Sequence, residues 1–145
     1  MKYFTKLPIV LLIAVALASC EKQEYFKSES QVKKDLNFSW KQVLMSQDTN
    51  RFPNYQIWTF NDDVLTIIRK KVTNNATIDT LTGNYSVNTT MTKVYINTAN
   101  FPDNPAWYWL NAEWNVVLLD SKGLVIASED PKAGGINERE FSRMD

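Results

Sequence analysis

The chain has 145 residues and carries 16 basic and 16 acidic side chains, so its formal charge is zero. It has no histidine and one cysteine, which excludes imidazole acid–base or ligand chemistry, an intrachain disulfide and a thiolate metal cluster. A chain of this length supplies one domain, and its balanced charge gives no footprint for nucleic acid.

Lys2 and Lys6 flank the start of an apolar run, Leu7 to Leu17, which leads to Ala18, Ser19 and Cys20. The run is shorter than the roughly 20 residues that cross a bilayer. It has the length and flanks of an export signal. Small residues before a lone cysteine resemble the lipobox of bacterial lipoproteins. That resemblance implies a signal peptide over residues 1–19, a diacylglycerol on the Cys20 thiol and an acyl chain such as palmitate on its freed amine. Several acyl chains on one residue anchor stably where a single chain is marginal. The alternative is an uncleaved N-terminal helix with an incidental cysteine. Loss of Lys2 and Lys6 leaves the remainder with a net charge of −2.

Residues 20–35 are polar and charged, with little apolar periodicity, and read as a tether. Fifteen such residues reach about 50 Å when extended. Ser30 to Asp35 has the composition for a helical turn before the first strand. Glu21-Lys22-Gln23-Glu24 partly resembles the signal that sends lipoproteins of the Bacteroidota to the outer face of the outer membrane. Periplasmic and cell-surface placement both stay open.

From Leu36 on, β-branched and aromatic runs alternate with turn residues, the pattern of an all-β domain over 36–145. Strands are predicted at Phe38–Ser46, Tyr55–Phe60, Val64–Val72, Thr77–Val87, Thr92–Thr98, Trp109–Asp120, Leu124–Ser128 and Ile136–Met144. Asn61-Asp62-Asp63 and Asn74-Asn75 suit tight turns because Asn and Asp tolerate left-handed backbone. Gly83 marks a bulge or a close approach. Eight strands joined by short hairpins favour a small up-and-down antiparallel β-barrel, since closure removes exposed edges. A sandwich is the runner-up, with Ala99–Ala106 as its cross-connection.

With strands placed, several segments together resemble the small lipocalin-like lipoproteins of the Bacteroidota. They are Trp40-Lys41, Trp58-Thr59-Phe60-Asn61-Asp62-Asp63, Thr82-Gly83-Asn84-Tyr85-Ser86-Val87, Trp114-Asn115-Val116, Gly123-Leu124-Val125-Ile126 and Glu140-Phe141-Ser142-Arg143. The resemblance implies a lipocalin-like barrel in which Arg143, on the last strand, covers Trp40 and closes one end. Phe38 departs from it, standing where such barrels usually carry glycine.

The expected inward set is bulky: Trp58, Phe60, Leu65, Ile67, Tyr85, Val87, Val94, Ile96, Trp114, Val116, Ile126 and Phe141. Such residues on short strands favour a filled interior over a ligand cavity. The most unusual stretch runs from Phe101 to Leu110 and contains Phe101, Trp107, Tyr108 and Trp109, stiffened by Pro102 and Pro105. It either presents an apolar binding surface or caps the barrel.

Other groupings are weaker. Arg69-Lys70-Lys71 either meets anionic headgroups or protects a strand edge. Asp62-Asp63 and Glu129-Asp130 are too poor in ligands for calcium and read as turns. Asp79-Thr80-Leu81 resembles an O-glycosylation acceptor of the Bacteroidota. No nucleophile–base pair, metal set or phosphate loop is present, which argues against an enzyme. No cofactor is expected beyond the acyl chains on Cys20.

The expected function is therefore a lipid-anchored, non-enzymatic outer-membrane lipoprotein. Its partner is a small apolar ligand, a glycan or an envelope protein. The competing class is a structural accessory subunit of an outer-membrane complex with no small-molecule ligand. Cys20→Ser is expected to release the protein from the membrane fraction or leave it unprocessed. Unchanged fractionation and electrophoretic mobility would refute the anchor.

Overall fold

The computed structural model describes residues 27–45, 49–103, 107–130, 132 and 134–145. The expected signal peptide, Cys20 and the Glu21–Glu24 segment lie outside the described residues.

A helix precedes the strands. Ser28 caps α1 (Glu29–Leu36), its hydroxyl accepting a hydrogen bond from the Gln31 amide at 3.3 Å. That satisfies one of the free amides of the first turn. Val32 and Leu36 stand one turn apart on the same face, and both are buried in the barrel core. The folded body therefore includes residues assigned to the tether by composition.

Eight antiparallel strands follow: β1 (Ser39–Gln42), β2 (Asn54–Asn61), β3 (Val64–Lys71), β4 (Thr77–Thr89), β5 (Val94–Ala99), β6 (Glu113–Leu119), β7 (Gly123–Glu129) and β8 (Ile136–Arg143). Each pairs with its neighbour in sequence, and β8 returns to β1 through Trp40↔Arg143, Lys41↔Ser142 and Gln42↔Phe141. The sheet is a closed up-and-down barrel, not a sandwich. Closure leaves no strand without a neighbour on either side.

Four boundaries differ from expectation by two residues or more. β1 stops at Gln42, after which the Val43 amide still bonds to the Glu140 carbonyl of β8. β4 runs on to Thr89, and Thr90 and Lys93 close the hairpin that begins β5 at Val94. β6 begins at Glu113, because Tyr108–Leu110 forms a 3-10 turn instead of strand. A short apolar run does not by itself distinguish the two conformations.

Side chains fill the interior. Trp40, Trp58, Trp114, Phe60 and Phe141 are fully buried. Trp58 meets Phe141 at 5.1 Å, Trp114 edge-on at 5.7 Å and Phe60 at 6.2 Å between ring centres. Ten of the twelve residues expected inside are buried, and Val94 and Val116 pack partly buried against them.

One end of the barrel is closed by α1. The Trp40 indole donates to the Leu36 carbonyl at 3.0 Å, pinning the helix end over the core. Lys33 pairs with Asp63 in the β2–β3 turn at 2.5 Å, where Asp62 takes the left-handed backbone. Arg143 is the cross-strand partner of Trp40, but the ring beneath its guanidinium is Phe38, with the Cζ atom 3.4 Å from the ring centre. Phe38 lies just before β1, two residues ahead of Trp40, and takes the stacking position at this end.

Leu36 is fully buried between helix and barrel. Leu36→Ala is expected to lower the unfolding free energy by about 2–5 kcal/mol, read by urea denaturation. A loss under about 1 kcal/mol would mean that α1 is not part of the cooperative unit.

Candidate functional site

The opposite end is built differently. It gathers the β1–β2 loop, the β3–β4 turn, the long β5–β6 connection and the β7–β8 connection. Asn100 adopts left-handed backbone and turns the chain inward after β5. The Asn111 side chain then holds the segment as a clasp. It accepts from the Phe101 amide at 2.9 Å and donates to the Phe101 carbonyl at 3.2 Å. Phe101 drops into the barrel beside Gly83. A Cβ on Gly83 would lie 2.6 Å from the Phe101 ring and 2.7 Å from the Ala99 carbonyl oxygen. The glycine therefore marks a close approach, and the register shift of this strand pair falls elsewhere, at Arg69/Lys70.

The rest of the segment plugs the mouth. Trp107 is buried, Leu110 is fully buried, and Trp109 and Tyr108 are half-buried. Trp109 meets Trp107 at 5.8 Å and stands edge-on to Trp114 at 6.1 Å. Asn104–Ala106 lies outside the described residues. Of the two readings of this aromatic stretch, the cap is the one the geometry matches, since Phe101 and Trp107 are turned away from solvent. Buried Thr98 organises the plug. Its hydroxyl accepts from the Trp114 indole at 3.1 Å and from the Ala112 amide at 3.3 Å, and it reaches the Leu110 carbonyl. Tyr108 donates to the Asp130 carboxylate at 3.0 Å, and Lys132 lies 4.2 Å over its ring. That hydrogen bond raises the Tyr108 phenol above its ordinary pKa.

Two arginines line this mouth, each laid on an indole. Arg69 points inward from β3, with its Cζ 4.7 Å over Trp107. Its guanidinium pairs with Asp79 of β4 through Nε at 3.2 Å and Nη2 at 2.5 Å. Arg139 points inward from β8, with its Cζ 4.5 Å over Trp109. Among the described residues Arg139 has no ion pair, and its buried Nε has no hydrogen-bond partner. Burial lowers its pKa from the usual guanidinium value, because desolvation disfavours the charged form. It stays charged at neutral pH, since a guanidinium does not deprotonate in proteins.

Between these groups lies a cleft of about 390 Å³, lined by Arg51, Arg69, Arg139, Trp107 and Gln56, with Phe52 and Met45 on its apolar side. The exposed Glu138 and Glu140, which flank Arg139, are also in its lining. The buried Gln56 is committed within the wall. Its amide oxygen accepts from the Trp58 indole at 2.9 Å, and its backbone amide donates to Gln42 at 3.2 Å. The cleft therefore combines an uncommitted guanidinium edge with aromatic and aliphatic walls. Such a pairing suits a carboxylate or phosphate carried on an apolar body.

The other candidate groups serve the fold. Arg69-Lys70-Lys71 is divided by strand alternation, Lys70 falling on the face opposite to Arg69, while Lys71 is exposed at the strand end. Asp130 accepts from the Lys132 amide at 2.8 Å. No group of three carboxylates or thiols that could hold a metal occurs among the described residues. Sequence reasoning took Arg69 only as part of a basic run and did not single out Arg139. The available signal was period two: Arg139 shares a strand face with buried Phe141, so it is a charge at a core-facing position. No family model, curated protein or solved structure matches this chain.

Gly83→Ala is expected to cost about 1–3 kcal/mol through overpacking against Phe101. Phe101→Ala in the same chain should cost less on top of Gly83→Ala than it does alone. Strictly additive costs in a double-mutant denaturation cycle would show that the two positions are not in contact.

Proposed function

We propose that this protein is a lipid-anchored, non-enzymatic binding module of the outer membrane with a lipocalin-like barrel. Its ligand carries an anionic group on an apolar body and docks at the barrel mouth. The observation that supports this is Arg139. An inward guanidinium with no ion pair is costly to bury; stacking on Trp109 offsets part of that cost and leaves its edge donors for a ligand. A small amphiphilic acid and an acidic segment of an envelope protein share this chemistry. A glycan fits less well, because Phe101 and Trp107 are buried and offer no open ring face. No metal or further cofactor is needed, and the anchor is the acyl chains on Cys20.

The competing reading, a structural accessory subunit of an outer-membrane complex, draws support from the filled interior. The stability of the unliganded protein separates the two. Arg139→Met is expected to leave the unfolding free energy within about 1 kcal/mol of wild type or to raise it, because a desolvated charge is removed. Aliphatic and aromatic carboxylates and organic phosphates should raise the Tm of wild type and not that of the variant. A loss above about 2 kcal/mol on substitution, with no Tm response in either protein, would make Arg139 structural and end the binding reading.

A further inference from the structure

We propose that the α1-closed end of the barrel is a docking face for an anionic lipid surface, with Met91, Val117 and Leu118 as its apolar contacts and Lys27 and Lys93 as its headgroup contacts. The proposal rests on the anchored reading above and adds an orientation to it.

The face originates in a mismatch between β5 and β6. Their register covers Tyr95↔Asn115, Ile96↔Trp114 and Asn97↔Glu113, after which β6 continues to Leu119 while β5 has already begun its hairpin. A groove of about 720 Å³ opens where the two strands part, with Val94, Val116 and Leu119 in its walls and Val32 of α1 behind them. A register shift between Val116 and Leu118 breaks the in–out alternation of β6. Consecutive residues are therefore both turned to solvent, Val117 57 % and Leu118 46 % exposed. Met91, at the tip of the adjoining β4–β5 hairpin, is 83 % exposed. Apolar residues gathered beside a groove are a contact surface, whereas scattered ones need no explanation.

Two further observations select a lipid surface as the occupant. The groove is lined by Lys27 and Lys93 and by no acidic residue. Lys27 is shared with Asp35 of α1 at 2.9 Å. Lys93, without an ion pair among the described residues, therefore supplies most of the charge that complements anionic headgroups, at about 1 kcal/mol per basic residue. The chain also leads there. Lys27 is the first described residue, and its ammonium donates to the Leu119 carbonyl at 3.2 Å, at the rim of the groove. Cys20 is seven residues upstream, a span of at most about 25 Å. Acyl chains on Cys20 therefore enter the bilayer close to Met91, Val117 and Leu118. The cleft holding Arg139 lies at the far end of the barrel and faces away from the membrane.

Met91 and Met45 are a matched pair of probes. They are the same residue type, 83 % and 91 % exposed, at opposite ends of the barrel. The full-length acylated protein, carrying Met91→Cys or Met45→Cys, is placed on vesicles of phosphatidylethanolamine with phosphatidylglycerol and challenged with a water-soluble maleimide. Val117→Cys serves as a second probe of the closed end, and unchanged tryptophan emission confirms folding. In detergent, Met91→Cys and Met45→Cys should react at similar rates. On the vesicles Met91→Cys and Val117→Cys should slow several-fold and Met45→Cys should not. Replacing Lys27 and Lys93 by Glu, or using phosphatidylcholine alone, should restore much of the rate.

Equal reactivity of the two ends on vesicles that do hold the protein would overturn the docking face while leaving the anchor intact. Failure of the protein to associate with the vesicles would overturn the anchor and this inference with it. Protection at Met91 that depends on protein concentration and not on lipid would assign the unpaired part of β6 to a second copy of this chain, which also overturns the proposal.

Discussion

The fully buried Trp58 ties together rings from opposite sides of the barrel, and the rest of the molecule is arranged around that contact. Its indole touches Phe60, Phe141 and Trp114, residues drawn from its own strand, the last strand and the sixth. A small eight-stranded barrel has an interior just wide enough to be filled by side chains. Once one tryptophan meets rings from other strands, the strands can close with a dry centre. The Gln56 side chain accepts the Trp58 N–H, so the most buried indole leaves no donor unsatisfied.

A filled centre moves any binding chemistry to the ends, and the ends differ in construction. One is sealed by a helix whose Val32 and Leu36 complete the core. Its last carbonyl contacts are taken by the Trp40 indole. The other is sealed by a folded-in connection whose indoles are covered from the wall by Arg69 and Arg139. Stacking a guanidinium on an indole satisfies its face and leaves its edge donors free. Arg69 uses its edge on Asp79. Arg139 has no such partner among the described residues, and Arg143, stacked on Phe38 at the other end, likewise has a buried Nε without one.

The same topology that closes the barrel leaves it imperfect at one seam. β4 is 13 residues long, and β3 pairs with its first part while β5 pairs with its second. This stagger tilts the strands, as closure requires. It also shortens the shared length of β5 and β6, so an apolar groove opens beside the helix-closed end. The two special regions of the surface thus lie at opposite ends, one next to where the chain enters and one remote from it.

The strand set and its inward face were legible in the amino-acid order, because period-two patterning and Asn/Asp turns are local properties. Asp62 and Asn75 are both left-handed where the turns were expected. Trp58, Phe60, Ile67 and Phe141 are buried as their alternation requires. What the order could not settle is which apolar run serves as wall and which as plug. Trp109 and Leu110 read as strand and became a 3-10 turn, because their conformation is set by contacts with Trp114, Thr98 and Arg139 from distant strands. The burial of Arg139 beside Trp109, the seat of Phe101 against Gly83, and the stacking of Arg143 on Phe38 all need a closed ring of strands. Cross-strand neighbours are decided by register and shear, and those are properties of the whole barrel, which no single segment of the chain contains.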